Sequence, residues 1–227
     1  MTVAIHQPDY IPWLGYFYKI YKSDKFIFLE NVQFSNSVGH NYRNIKTSQG
    51  LHRLKIPVDY SHGEIIKNVT MKDELGWREN HLKAFSMNYK KAPFFDETYN
   101  FIENIYKSDT NNLSDFNQKF IIEIAKKFGF ATKFYKSSEL NVDGEREGRI
   151  INLCLSVGGT TYLSGKGAMA YQNPDNFEKA GLKLIYSNFH PIKYDQLWGD
   201  FEANVSTLDY IFNNGFDWKK YIENIDK

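Results

Sequence analysis

The first thirty residues constrain the fold more than any later stretch. Val3 to His6 is a short strand-like run, and Trp13 to Tyr21 places Leu14, Phe17, Tyr18 and Tyr21 at helical spacing, with Lys19 and Lys22 pointing away. Ser23-Asp24 breaks that pattern, and Lys25 to Leu29, KFIFL, reads as a buried strand. Strand, helix and strand at this spacing describe a parallel pair joined by a crossover helix. The connection QPDYIP, residues 7–12, therefore leaves the carboxyl end of the first strand, where open α/β sheets receive their ligands.

The rest of the chain extends this plan. A polar loop, NVQFSNSVGHNYRN, leads to two β-like runs, NIKTS and LHRLKIPV, with Gln49-Gly50 expected at the hairpin turn and IIKNVTM read as a further strand. Three helical patterns follow: WRENHLKAFSMNYKKA from Trp77, FFDETYNFIENIYK after Pro93, and LSDFNQKFIIEIAKKFG, started by Leu113, Ser114 and Asp115 and stopped by Gly129. Strand and helix then alternate through TKFYKS, REGRIINLCLSV, TTYLSG, PDNFEKAG and LKLIYS, and STLDYIFNNG and DWKKYIENI close the chain as short helices. No repeat, low-complexity tract or linker interrupts it. The expectation is a single α/β domain over residues 1–227, with a mainly parallel central sheet of nucleotidyltransferase or Rossmann type, a β-hairpin excursion, and a helical insertion or cap at about 77–129.

Composition narrows the function. A net charge of +1 provides no broad field for attracting DNA, and no run approaches the ~18 uninterrupted apolar residues of a membrane span. Neither a signal nor a transit peptide fits the first residues, so the compartment is expected to be cytoplasmic. Cys154, the lone cysteine, sits in the apolar run IINLCLSV and is read as core filler. The histidines form no HxH or HxxxH pair and no G-x-S-x-G elbow occurs, which disfavours a metal site and a standard serine hydrolase.

Several residues are candidates for chemistry. His6 ends the first strand, where an imidazole suits proton transfer, and Glu30 at the end of KFIFL is positioned to act as base or to orient it. Gln7, Asp9 and Tyr10 can bond sugar hydroxyls or an amide. Trp13 either stacks on a pyranose or base or staples the helix to the sheet. For Gly15, close packing against the next strand is expected rather than close approach of a ligand. Asn41, Arg43, Asn44 and Lys46 have the composition of a diphosphate or carboxylate site, and Gln33 is placed to reach the same edge. His81, one turn after Trp77, joins the site from the cap or packs on that indole. Ser164-Gly165-Lys166-Gly167 offers backbone N–H groups and a cation to an anion, or is a plain tight turn.

The segments HQPDYIPWLGYFYKI, SDKFIFLENVQF, NYRNIKT, WRENHL, YLSG followed by Tyr171, and STLDYIFNNG together resemble the WbqC-like family of bacterial proteins associated with O-antigen and surface-sugar gene clusters. Glu30 departs from the Asp expected there, and Asn41-Tyr42-Arg43-Asn44 from a more compact Asn-Arg-Asn. The resemblance implies a glycine, aminoacyl or other acyl transferase acting on an amino sugar. Its partners would be a nucleotide-linked or lipid-linked amino sugar and an activated acyl or aminoacyl donor. A weaker likeness is to the nucleotidyltransferase and pantothenate-synthetase group, whose HxGH signature binds ATP phosphates. The tetrad here is Trp13-Leu14-Gly15-Tyr16, with both histidines missing, so ATP is implied as cofactor only if the layout carries the chemistry. The alternative is a non-catalytic module that binds a sugar nucleotide or scaffolds a polysaccharide pathway.

Overall fold

A computed structural model describes residues 1–223. The opening follows from the spacing: β1 (Thr2–His6), α1 (Leu14–Tyr21) and β2 (Lys25–Phe28), with the strands parallel from Val3↔Lys25 to His6↔Phe28. The chain then leaves the sheet. β3 (Tyr42–Thr47) and β4 (Gly50–Lys55) form an antiparallel hairpin, and β5 (Val58–Asp59) pairs antiparallel with β6 (Thr70–Met71). Three helices follow, α2 (Trp77–Tyr89), α3 (Phe95–Tyr106) and α4 (Leu113–Lys127). The sheet resumes through β7 (Lys133–Lys136), α5 (Arg146–Ser156), β8 (Thr161–Ser164), α6 (Pro174–Lys179) and β9 (Lys183–Tyr186). Two helices, α7 (Thr207–Asn214) and α8 (Trp218–Ile222), end the described chain; Asn224 and Ile225 of the expected DWKKYIENI helix lie outside it.

Five strands make one sheet in the order β7-β2-β1-β8-β9, and every neighbouring pair is parallel. Winding proceeds outward from β1 through β2 to β7, then crosses back to lay β8 and β9 on the other side. The direction thus reverses between β1 and β8, which makes that boundary the switch point of a doubly wound sheet. Both faces of β1 are covered, as a parallel strand requires. Val3 and Ile5 pack with Ile27, Tyr162, Leu153 and Phe177 on one side, while Ala4 packs on the other with Phe26, Phe28, Leu163 and the apolar faces of α1, α2, α3, α4 and α7.

Four local expectations change. The hairpin loop is Ser48-Gln49, and Gly50, at φ +98°, opens β4 rather than closing the turn. IIKNVTM gives a 3₁₀ turn at Ile66–Asn68 and a two-residue strand, because Ile66 and Val69 bury themselves from irregular backbone. The cap of α4 is Asn112, whose side chain accepts the Asp115 N–H, one residue before the expected start. Lys19 does not point away: every residue from Leu14 to Ile20 is buried, and the Lys19 ammonium reaches back to the Ile5 carbonyl of β1.

Candidate functional site

β1 stays paired with β2 to His6↔Phe28, and β8 with β9 to Ser164↔Tyr186, but β1 and β8 are in register only from Thr2↔Thr161 to Ala4↔Leu163. The two central strands part at their carboxyl ends. A cleft of about 520 Å³ opens in that parting. Its walls come from the end of β1, from α1, from the turn after β8 and from Phe189 beyond β9.

His6 brings a half-buried imidazole to this cleft, 4.7 Å from the Tyr16 ring and edge-on to it. Its Nδ1 lies 3.0 Å from the Gln7 carbonyl, which also accepts the Tyr16 hydroxyl at 2.9 Å. A carbonyl oxygen only accepts, so Nδ1 carries the proton and Nε2 keeps the lone pair. Burial first, then the Lys19 charge, pushes the His6 pKa down to about 3, against the pull of the Gln7 bond. Water in the open cleft moderates the size of this shift; the direction, toward the neutral ring, follows from the neighbours. The Gln7 side chain is held by the His40 Nε2–H, 3.1 Å from its Oε1, while His40 Nδ1 accepts the Ser35 N–H.

Lys19 is the functional candidate that helical spacing alone misplaced. Its side chain runs inward to the cleft, and its ammonium donates to the Ile5 carbonyl at 2.8 Å, beyond the last paired residue of the β1–β8 ladder. Burial lowers its pKa to about 8, opposed by the Asp9 carboxylate. Trp13 caps α1 and folds its indole back over the first turn, where it meets Phe189 edge-on at 5.3 Å. Gly15 exists for that indole and not for the next strand: a Cβ there would lie 2.5 Å, 2.6 Å and 2.8 Å from three of its ring carbons.

On the opposite wall, Ser164 ends β8 with its hydroxyl buried and without a hydrogen-bond partner, and the Gln172 Oε1 nearby is likewise unpartnered. The Tyr162 hydroxyl interacts with both without meeting hydrogen-bond geometry, and burial pushes its own pKa up to about 12. Gly165 and Lys166 line the same wall, at the start of a 3₁₀ turn over Lys166–Ala168.

Six of the expected site residues therefore converge: His6, Gln7, Trp13, Ser164, Gly165 and Lys166. The others do not line the cleft. Glu30 is no partner of His6; its carboxylate accepts the Ser137 N–H and Oγ–H and the Ser138 N–H at 3.1, 2.7 and 3.1 Å, anchoring the turn after β7. Gln33 is exposed and bridges to Ile65. Asp9 and Arg43 pair at 3.1 Å, tying the QPDYIP loop to β3, where burial raises the Asp9 pKa despite the guanidinium. Asn41 donates to the Ile56 carbonyl, and the Asn44 carbonyl accepts the Ser206 N–H. Lys46 reaches Gln196 and the Asp200 carbonyl instead of an anion site. Tyr10 and His81 are buried together, hydroxyl to Nδ1 at 2.7 Å, and His81 packs edge-on against Trp77. Long-range packing turns the Arg43 guanidinium toward Asp9 and away from the cleft. Cys154 is buried with its thiol pushed up to about 12, the state of a packing residue.

The profile of the WbqC-like protein family matches residues 7–221. The chain belongs to the WbqC-like protein family. It is also similar to the uncharacterized protein Rv1507c of Mycobacterium tuberculosis, 34% identical over 226 residues that span 97% of this chain and 96% of that protein. No solved structure matches it. Seen on the fold, the segments that carry the WbqC-like resemblance divide into two groups. HQPDYIPWLGYFYKI, YLSG with Tyr171, and Leu29 of SDKFIFLENVQF line the cleft, whereas NYRNIKT, WRENHL and STLDYIFNNG build the buried framework behind it. In that framework Tyr89 and Tyr194 donate to Asp209 at 2.9 and 3.1 Å. No helix among the described residues of this WbqC-like chain is long and apolar enough to cross a membrane.

Proposed function

We propose that this chain transfers an acyl group, glycyl or another aminoacyl group in the first instance, to the amine of a nucleotide-linked or lipid-linked amino sugar, in the cleft between β1 and β8. One observation carries the reading: a neutral imidazole with a free Nε2 faces a cleft walled by aromatic rings at the switch point of a parallel sheet. Trp13 and Tyr171 supply ring faces of the kind that pack on sugars and bases. The amine attacks the acyl carbonyl of an activated donor, forming the C–N bond. The nitrogen of that adduct is far more acidic than a free amine, so a weakly basic imidazole suffices to take its proton. His6 then returns the proton to the donor's leaving group as the old acyl bond breaks. The donor is an acyl-adenylate made from ATP or an acyl group already activated on a carrier.

The test is incubation with an amino-sugar nucleotide, glycine and ATP, or with pre-activated acyl donors, followed by mass spectrometry of the sugar. A mass increase of one acyl group that disappears in His6→Ala supports transfer; unmodified sugar across the donor panel refutes it. A second function, sugar-nucleotide binding without chemistry, is favoured by the Glu30 geometry, which leaves His6 with no carboxylate partner. In that case the protein retains affinity for the sugar nucleotide, and no donor produces turnover.

A further inference from the structure

The floor of the cleft holds a cation with no counter-ion. Lys19 is 6% exposed, and its ammonium makes one hydrogen bond, to the Ile5 carbonyl, which leaves two N–H donors. Asp9 acts on it from a distance and is itself paired with Arg43. No aspartate or glutamate lines the cleft among the described residues, whereas two lysines do, Lys19 and Lys166. A buried, unpaired ammonium is costly to keep in a folded protein, and an anionic ligand group removes that cost.

The donors around the parting exceed what a carboxylate can use. Besides Lys19 there are the Ser164 hydroxyl, in a residue 1% exposed whose contact with Tyr162 falls short of hydrogen-bond geometry, and Lys166, which lines the same wall. Side chains at Gly165 and Gly167 would meet nothing within 4 Å, so the backbone of that turn is open to a ligand. Two carboxylate oxygens leave much of this set unmet; a phosphoryl group with its additional oxygen matches it better. The other orphan has the opposite character. Gln172 Oε1 accepts, and so calls for a hydroxyl or amine on the same ligand.

We infer that the parting of β1 and β8 is a phosphate subsite, in which Lys19 from beneath and the Ser164–Gly167 turn from the side hold the phosphate of a phosphorylated or nucleotide-linked sugar, and Gln172 takes a sugar hydroxyl or amine. This rests on the cleft being the ligand site of the function proposed above, and not on the transfer step.

The experiment is calorimetric titration of the full chain with inorganic pyrophosphate, UDP, uridine and acetate, on the wild type and on Lys19→Met, Ser164→Ala and Lys22→Gln. Lys22 is exposed and serves as the surface-charge control. Pyrophosphate and UDP are expected to bind saturably and uridine at least about ten-fold more weakly. Lys19→Met should raise both dissociation constants by about ten-fold or more, Ser164→Ala by less, and Lys22→Gln not at all. Acetate competing as well as pyrophosphate would replace the phosphate assignment with a carboxylate one. Equal loss in Lys22→Gln, or no saturable pyrophosphate binding, would overturn the subsite. Should Lys19→Met fold poorly, the ammonium resonance of Lys19 in the wild type, followed by NMR during the pyrophosphate titration, decides: an unmoved signal overturns the assignment. Turnover without pyrophosphate binding removes the subsite alone, and pyrophosphate binding without turnover removes the transfer step alone.

Discussion

Replacing Gly15 by Ala separates what the first helical turn does for stability from what it does for the cleft. The new methyl would stand 2.5 Å from the nearest indole carbon of Trp13, about 1 Å short of ordinary carbon–carbon contact. The three nearest atoms all belong to the outer edge of that one ring, so the indole moves and the backbone stays. Alanine gains up to about 1 kcal/mol over glycine within a helix. Pushing the indole off its rotamer costs about 0.5–1.5 kcal/mol, and losing the edge contact to Phe189 a further ~0.5–1.5 kcal/mol. The net is a loss of no more than about 3 kcal/mol, or at most about 6–12 °C in melting temperature for a chain of this size. Ligand affinity should fall more sharply, by about ten-fold, if a ring of the ligand stacks on Trp13. The assay combines thermal unfolding with the ¹⁹F spectrum of protein labelled with 5-fluorotryptophan, whose four tryptophans give four signals. Trp13→Phe identifies the relevant one. The expected result is a moved Trp13 signal, three unmoved signals, and weakened UDP-sugar binding on a folded protein. An unmoved Trp13 signal, or a collapse in melting temperature with all four displaced, would refute the assignment of Gly15 to the indole.

His6→Ala should abolish acyl transfer in a mass-spectrometric turnover assay while changing the dissociation constant of the sugar nucleotide by less than about ten-fold. Glu30→Ala should lower stability by about 2–4 kcal/mol in urea unfolding, because it strips the Ser137 and Ser138 N–H groups of their acceptor and leaves the Ser137 hydroxyl only Asn31, and should leave UDP affinity unchanged. Asp209 carries a pH signature. Burial raises its folded-state pKa from 3.8 to about 6, so the folded chain holds that proton more tightly than the unfolded one. Its stabilising contribution is then complete below pH 3.8 and is lost as pH rises through 6, a change of about 3 kcal/mol. Urea midpoints measured from pH 3.5 to 7 should show this fall in the wild type and a flatter profile in Asp209→Asn; parallel profiles would count against a protonated Asp209.

The parts of the fold legible in the sequence are those governed by local spacing. The β1–α1–β2 unit, the three central helices and the late alternation of strand and helix each announce themselves through periodicity and stop residues, and the ligand edge follows from the first of them. The site was half legible. His6, Gln7 and Trp13 lie next to one another along the chain, and Ser164 to Lys166 follow a recognisable strand, so position along an element located them. Lys19 was hidden because the wheel of α1 was read with one wet face, whereas that side chain runs inward to the Ile5 carbonyl and the cleft. Arg43, Asn44 and Lys46 have the letters of an anion site, but nothing local records that Asp9, Ser206 and Gln196 lie against them. The setting of Glu30 is hidden for the same reason: its partners, Ser137 and Ser138, are more than one hundred residues downstream.

The central strand leaves the ribosome long before one of its two neighbours, β8, at Thr161–Ser164. At ~5–20 residues per second, synthesis leaves that side of β1 bare for about 10–30 s. During this interval an apolar strand edge stands open to pairing with other chains. Truncated or stalled products that stop short of Tyr162 should consequently clump, and cellular yield should depend on chaperone cover over that interval more than on the stability of the finished molecule.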